Sequence, residues 1–368
     1  MKIFKAIAVI FFTAIFISIA SGQNVKREFS LVDLRKIHNI SSPAISPDGK
    51  KVAIIDSKPV WKTDKNRQQI ILLQIATRKK RILSQNRSSI GNLRWSPKGT
   101  KLAFLAKAPK SKKVQIFILP MNGGDALQVT HSKTGVARFE WSPDGKNIAF
   151  IAQDTIPNPK AIKHHEDAFK VTDNNYLTRA QVQPWHLWLV KANGKEAKQL
   201  THGKWSLGTD QGSLSAISWS SNGQHIVFTK FPDVWEGNAW HSVLGEFNLK
   251  TGKTTVIVNK QGATNAHFAP GKNIIAFSRP KNGDQNNGNA VYIMKDNKII
   301  DVTADLNRNI NNYIWSSDAA GLILSGDKGT SSVIWYQPLN GKAKKLPTGN
   351  VEVNAYSIKT SGSTYIYR

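Results

Sequence analysis

Trp141-Ser142-Pro143-Asp144-Gly145-Lys146-Asn147-Ile148-Ala149-Phe150 carries the chemistry of a hairpin. Pro143 fixes φ at the second position of a type I turn, Asp144 tolerates the third, and Gly145 takes the left-handed conformation that closes it. Asn147 to Phe150 then read as a strand. The pattern recurs. Ile45-Ser46-Pro47-Asp48-Gly49 leads into Val52-Ala53-Ile54, and Trp95-Ser96-Pro97-Lys98-Gly99 into Leu102-Ala103-Phe104. Trp219-Ser220-Ser221-Asn222-Gly223 leads into Ile226-Val227-Phe228, and Trp315-Ser316-Ser317-Asp318 into Gly321-Leu322-Ile323-Leu324. Phe268-Ala269-Pro270-Gly271, read as one turn residue shorter, leads into Ile274 to Phe277. The serine places, 46, 96, 142, 220, 269 and 316, are spaced by 50, 46, 78, 49 and 47 residues. Strand-only units of this period predict an all-β fold, a β-propeller with one four-stranded blade per repeat.

The repeats divide the chain into blades near 40–85, 89–133, 135–203, 214–259, 263–303 and 309–346. A partial seventh at 350–368 begins with Val353 to Ser357 and Thr364 to Tyr367. The expectation is six recognisable four-stranded blades and an incomplete seventh. The long step of 78 residues contains an insertion, Thr155 to Pro184, poor in apolar residues. Such an excursion from a rigid scaffold is a place for binding residues. A lead-in segment at 23–39 holds Phe29 to Ile37, which reads as a short helix capped by Ser30 and docked by its apolar residues on the propeller edge.

Residues 1–22 read as a secretory signal: Lys2 and Lys5, an apolar run from Ala6 to Ile17, then small residues. The protein is therefore expected to be exported, periplasmic or secreted. Cysteine is absent, which excludes disulfides, thiolate metal sites and a cysteine nucleophile. The formal net charge of +27 implies electrostatic contact with anionic membrane surfaces. The lysines are scattered, as in Lys79-Lys80-Arg81, Lys110 to Lys113 and Lys342 to Lys345. That is the pattern of a solvated face, and no specific nucleic-acid role is expected.

Three groups of residues are candidates for chemistry. His164-His165-Glu166-Asp167 is the densest run of ligand types. Neighbours in an extended chain point to opposite sides and no H-E-x-x-H occurs, so neither metal nor cofactor is assigned. Trp95, Trp141, Trp219 and Trp315 share one repeat position, which argues for packing between blades. Trp235 and Trp240 flank Glu236-Gly237-Asn238 and are candidate binding residues. No catalytic set can be assembled, because neither a G-x-S-x-G elbow nor a Ser, His and acid motif occurs.

Several stretches resemble the N-terminal half of S9-type serine peptidases, the prolyl oligopeptidase, dipeptidyl-peptidase and acylaminoacyl-peptidase family. These are Phe29 to Leu34 running into Ile45-Ser46-Pro47-Asp48-Gly49, Gln115 to Ala126, and Asp167 to Val171 through Asn175-Tyr176-Leu177 to His186-Leu187-Trp188-Leu189-Val190. The SPDG repeat is also similar to that of TolB-like periplasmic propellers. The resemblance implies a seven-bladed propeller that restricts which peptides reach a C-terminal α/β-hydrolase, which is lacking in these residues. It implies Glu166 and Asp167 as acceptors for the positive N-terminus of a peptide, where the residues alone read as a solvated loop. The partners it implies are a peptide substrate and a hydrolase domain or protein. A standalone TolB-like propeller that binds a protein partner is the alternative.

Overall fold

The computed structural model describes residues 28–166, 168, 182–347, 356–358 and 365–367. The signal-like residues 1–22 lie outside them. Six four-stranded antiparallel meanders follow one another along the chain. Blade 1 comprises β1 (Asn39–Ile45), β2 (Lys51–Val60), β3 (Lys65–Gln74) and β4 (Lys80–Arg87). Blade 2 comprises β5 (Gly91–Trp95), β6 (Lys101–Lys107), β7 (Val114–Pro120) and β8 (Leu127–Gln128). Blade 3 has β9 (Arg138–Trp141), β10 (Asn147–Gln153), β11 (Trp185–Lys191) and β12 (Lys198–Gln199), with the helix α1 (Pro159–Lys163) after β10. Blade 4 has β13 (Ile217–Trp219), β14 (His225–Lys230), β15 (Val243–Asn248) and β16 (Lys253–Val258). Blade 5 has β17 (Thr264–Phe268), β18 (Ile275–Pro280), β19 (Asn289–Lys295) and β20 (Lys298–Asp301). Blade 6 has β21 (Ile310–Trp315), β22 (Gly321–Lys328), β23 (Ser331–Pro338) and β24 (Lys344–Lys345). The strands β25 (Tyr356–Ile358) and β26 (Tyr365–Tyr367) pair as a two-stranded sheet that lies against β1.

The repeated turn is built by side chains. Ser46 N–H donates to the Lys51 carbonyl and Gly49 N–H to the Ser46 carbonyl, both at 2.8 Å. Ser46 Oγ donates to Asp48 Oδ1 (2.5 Å) and accepts from Lys51 N–H (2.9 Å), while Lys50 N–H donates to Asp48 Oδ1 (3.0 Å). The same braces recur at Ser142 and Asp144, at Ser220 and Asn222, and at Ser316 and Asp318. Gly49, Gly99, Gly145 and Gly223 close the turn with φ near +70°, a conformation open to glycine, and Ala319 fills that place in blade 6 with φ 52°. The blade 5 turn is not shorter, contrary to the expectation from sequence. Ala269 N–H donates to the Ile274 carbonyl, the same five-residue closure as the others. There the positive φ comes one residue earlier in the turn, at Gly271.

The second and third strands are buried on both faces by the neighbouring blades, so they read as continuous apolar runs. Leu102 to Ala106 and Ile148 to Ala152 are fully buried. Fourth strands are more exposed: Lys344–Lys345 lies at the surface, and in Lys253–Val258 the first four residues do, while Val258 enters the core. Each apolar core is accordingly shared between successive blades, from Ile55 and Leu102 between blades 1 and 2 to Ala276 and Leu324 between blades 5 and 6.

The repeated tryptophans join the blades as well as packing between them. Trp95 Nε1 donates to the Ala44 carbonyl (2.9 Å), Trp141 Nε1 to Arg94 (3.2 Å), Trp219 Nε1 to Glu140 (3.4 Å) and Trp315 Nε1 to His267 (3.0 Å). Phe268 has no such donor, and its backbone N–H instead reaches Ser218 Oγ (3.0 Å). The first strands thus form a stitched ring from β1 to β21.

The lead-in differs from expectation. It is a 3₁₀ turn, Leu31–Lys36, whose Asp33 carboxylate accepts from Ser30 N–H (3.0 Å) and Ser30 Oγ (2.9 Å). Most of its apolar residues do not dock: Phe29, Leu31 and Val32 are 67%, 81% and 57% exposed, and Leu34 alone in the turn is half-buried. Spacing fixed the cap, but alternate apolar residues on so short a tight turn have no common face to bury. Arg35 stacks over Trp61, 5.4 Å from the ring centre, and ties the segment to blade 1.

Candidate functional site

Two features of this fold present polar chemistry: the ring of first strands and the loop-bearing end. Aligning the repeats on the tryptophan place puts Ala44, Arg94, Glu140, Ser218, His267 and Ile314 in one column. Two residues earlier stand Ser42, Asn92, Arg138, Ala216, Asn265 and Asn312. The alternate positions, such as Leu93, Phe139, Trp141 and Phe268, enter the inter-blade cores. The residues one and three places before the tryptophan position are left to the ring's inner side, and they are predominantly Asn, Ser, Arg and His. Among the six first strands only Arg94, Arg138 and Glu140 carry a fixed charge. All three sit on blades 2 and 3.

Arg94 Nε donates to Glu140 Oε2 at 3.1 Å, bridging the two blades, and Arg94 Nη1 donates to the Leu93 carbonyl at 3.0 Å. Arg138 is half-buried, and its side chain makes no hydrogen bond or ion pair with another described residue. Burial, and then repulsion by Arg94, press its guanidinium toward the neutral form, with Glu140 opposing. His267 faces this pair from blade 5. Its Nε2 lies 3.2 Å from Asn265 Oδ1, and its ring meets Tyr313 edge to face at 5.9 Å. Burial first, and then the charges of Arg138 and Arg94, push His267 down to about 4, so the imidazole is neutral at pH 7. The ring therefore holds two guanidiniums against one carboxylate, beside an uncharged histidine.

At the other feature, each blade is an antiparallel meander, so the connections after its second and fourth strands fall at one end. The blade 3 excursion and the blade 4 loop 231–242 both lie there. The excursion leaves and returns at one point: Gln153 Nε2 donates to the Gln183 carbonyl (2.9 Å) and Asp154 N–H to the Pro184 carbonyl (2.8 Å). Beyond α1, Glu166 is exposed and its N–H donates to the Ala161 carbonyl (2.8 Å). Asp167 lies outside the described residues. Among the described residues no three His, Asp or Glu side chains converge on one point.

The loop around Trp235 and Trp240 is closed on itself. Trp235 is buried and its N–H donates to Asp233 Oδ1 (2.9 Å). Trp240 lies so close over Gly262 that a Cβ there would meet its ring at 2.4 Å. Between them Glu236 accepts from Ser213 Oγ (2.7 Å) and from Thr209 Oγ1, while its N–H donates to Asp210 Oδ1 (3.0 Å). The structure brings Trp235 and Trp240 together on one turn, Glu236–His241, and sets Glu166 on the neighbouring blade.

Sequence reasoning missed a cluster beneath the excursion. His186 is fully buried, with Nδ1 2.9 Å from Asp154 Oδ2, and Gln199 Nε2 donates to Asp154 Oδ1 (3.2 Å). Asp154 edges a cavity of about 540 Å³ whose wall includes Phe150, Trp188 and Lys133. No motif links residues 32 apart in sequence. The Arg94 and Arg138 column was also missed, although aligning the residues before each tryptophan exposes it.

Residues 20–159 match the family model for the TolB beta propeller domain. No curated protein matches the chain. Among solved structures, Pyrococcus horikoshii acylaminoacyl peptidase superposes with a TM-score of 0.71 at 15% identity, over 93% of this chain and 50% of that one. The β-propeller domain of the Trilobed protease from Pyrococcus furiosus gives 0.64 at 14% identity, over 88% of this chain and 89% of that domain. A prolyl endopeptidase gives 0.62 at 12% identity, over 91% and 47%. The likeness is one of fold. The chain spans about half the length of the two whole peptidases and nearly all of the isolated propeller domain.

Proposed function

We propose that this chain is the substrate-gating propeller of an exported S9-like serine peptidase, without catalytic competence in these residues. The observation that carries the reading is the match over 93% of this chain to half of an acylaminoacyl peptidase. The sequence adds the resemblance around His186 to Val190, and contains no nucleophile elbow. Export rests on the Lys2, Lys5 and Ala6 to Ile17 pattern. In this reading the loop-bearing end and the polar ring decide which peptides pass, and a hydrolase with its own triad does the chemistry. The partners are that hydrolase and its peptide substrate. Glu166, Trp235 and Trp240 stand at the end where a peptide would first be met, and the reading assigns Asp167, the next residue after Glu166, to the same role.

A second reading has a specific support in the match of residues 20–159 to the TolB beta propeller domain. There the chain binds a protein partner and no peptidase is involved. Reading the gene and its neighbours past codon 368 separates the two. The gating reading predicts an α/β-hydrolase with a G-x-S-x-G elbow, in frame or adjacent. A genome with no such hydrolase in frame or nearby overturns it in favour of the binding module.

A further inference from the structure

We infer that the ring of first strands holds an anion site, in which Arg138, seconded by Arg94, receives a carboxylate of a peptide. Four observations converge on it. A chain with 51 Lys and Arg places just two of them on its six first strands, on adjacent blades and on the inner side. Arg94 is bound to Glu140 at 3.1 Å, whereas the Arg138 side chain has no partner among the described residues. Only the attraction of Glu140 from beyond ion-pair distance offsets the charge of this half-buried guanidinium, and a ligand that supplies a bonded counter-ion lowers the remaining cost. The rest of the two columns adds no charge: Asn, Ser and a neutral His267 can donate and accept hydrogen bonds, and Ala44, Ala216 and Ile314 are apolar.

The geometry favours a carboxylate over a dianion. Glu140 already shows a carboxylate seated on one of the two guanidiniums, so a second carboxylate on Arg138 completes two pairs. A phosphate dianion at the same place would leave the two guanidiniums and Glu140 with an excess of negative charge. The carboxylate has two sources in a peptide, the C-terminus and an acidic side chain, and both are tested below. The anion site stands on the ring itself. That its ligand is a peptide rests on the gating reading above. The field of a strongly cationic chain would draw such ligands toward the ring.

The test follows the His267 imidazole by NMR in the full chain, with the resonance assigned from His267→Gln. His267 senses the charges of Arg138 and Arg94, and a bound anion offsets them. Four probes are used: acetate, acetyl-trialanine with a free carboxylate, its C-terminal amide, and an amidated acetyl-Ala-Glu-Ala. Free acetyl-trialanine is expected to shift the resonance saturably and the amide is not. Arg138→Gln should weaken the free peptide at least about tenfold, the loss of one charge-assisted pair. Glu140→Gln, which frees Arg94, should tighten it several-fold, and this gain is read whether or not the Arg138→Gln variant folds. A saturable shift by the amidated Glu peptide in place of the free acid assigns the side chain as the source.

Each remaining outcome decides something. Acid and amide binding alike, unaltered in Arg138→Gln, would overturn the anion site and leave peptide gating standing. Acetate binding that depends on Arg138, with no peptide entering, would keep the anion site and overturn both its peptide ligand and the gating reading. No response to any probe would overturn the site.

Discussion

Replacing Trp315 by phenylalanine removes one N–H from the joint between blades 5 and 6. In the structure that N–H donates to the His267 carbonyl at 3.0 Å, from an indole only 6% exposed. Losing a buried hydrogen bond of this kind costs about 1 kcal/mol, with more if the carbonyl is left dry. The phenyl ring also fills less of the core shared with Tyr313, Leu322 and Trp335. The missing ring atoms add about 1 kcal/mol of lost burial. The expected destabilisation is therefore about 2 kcal/mol, read as a lowered urea midpoint at unchanged slope. The joint between blades 4 and 5 serves as the internal control, because Phe268 there carries no indole donor. Its link runs from the Phe268 N–H to Ser218 Oγ, so Ser218→Ala should cost about 1 kcal/mol on its own. If Trp315→Phe leaves stability within about 0.5 kcal/mol of the parent, the indole bonds are not what joins the blades, and the reasoning fails.

Two further outcomes depend on pH. Asp48 and Asp318 are held below the ordinary carboxylate value by the hydroxyls of Ser46 and Ser316 and by backbone N–H groups. At Asp144 burial acts upward, but the Ser142 hydroxyl and the Lys146 N–H outweigh it. A lowered folded pKa contributes stability that is present above the unfolded value and lost as the pH falls through the folded one. Acid denaturation below about pH 4 should therefore be shallower in a triple variant with Asn at 48, 144 and 318, the residue type blade 4 already carries as Asn222. His267 is also lowered, to about 4. The unfolded chain takes up this proton first, so stability falls as the pH drops from about 6.5 toward 4, and His267→Gln should flatten that window in urea titrations.

What the sequence could reveal follows from how local each feature is. The SPDG turn is closed by Ser46 Oγ, Asp48 and Gly49 within six residues, so its chemistry is visible one repeat at a time. Blade 5 shows the limit. Without the serine and aspartate, Gly271 marks a positive φ but not its place in the turn, and the turn reads as shorter than it is. The Ser30 cap was legible, whereas the exposure of Leu31 and Val32 depends on what blade 1 offers them. The site is still less local. Arg94 reaches Glu140 from another blade, 46 residues away, and His186 meets Asp154 across the excursion. Neither pairing has a spacing rule. A column of polar residues one and three places before each tryptophan is the signal that was present, and its meaning depends on the succession of first strands that the indoles help to join.

The most direct test of the central claim uses the protein as its source produces it. Antibodies to this chain would recover it from whole cells and culture medium, and the recovered material would be treated with a fluorophosphonate that labels active serine hydrolases. The account predicts a labelled polypeptide that contains this chain or is held by it, with labelling blocked by a peptide substrate. Recovery of the chain with a non-hydrolase partner and no label would contradict the gating function and assign a protein-binding propeller.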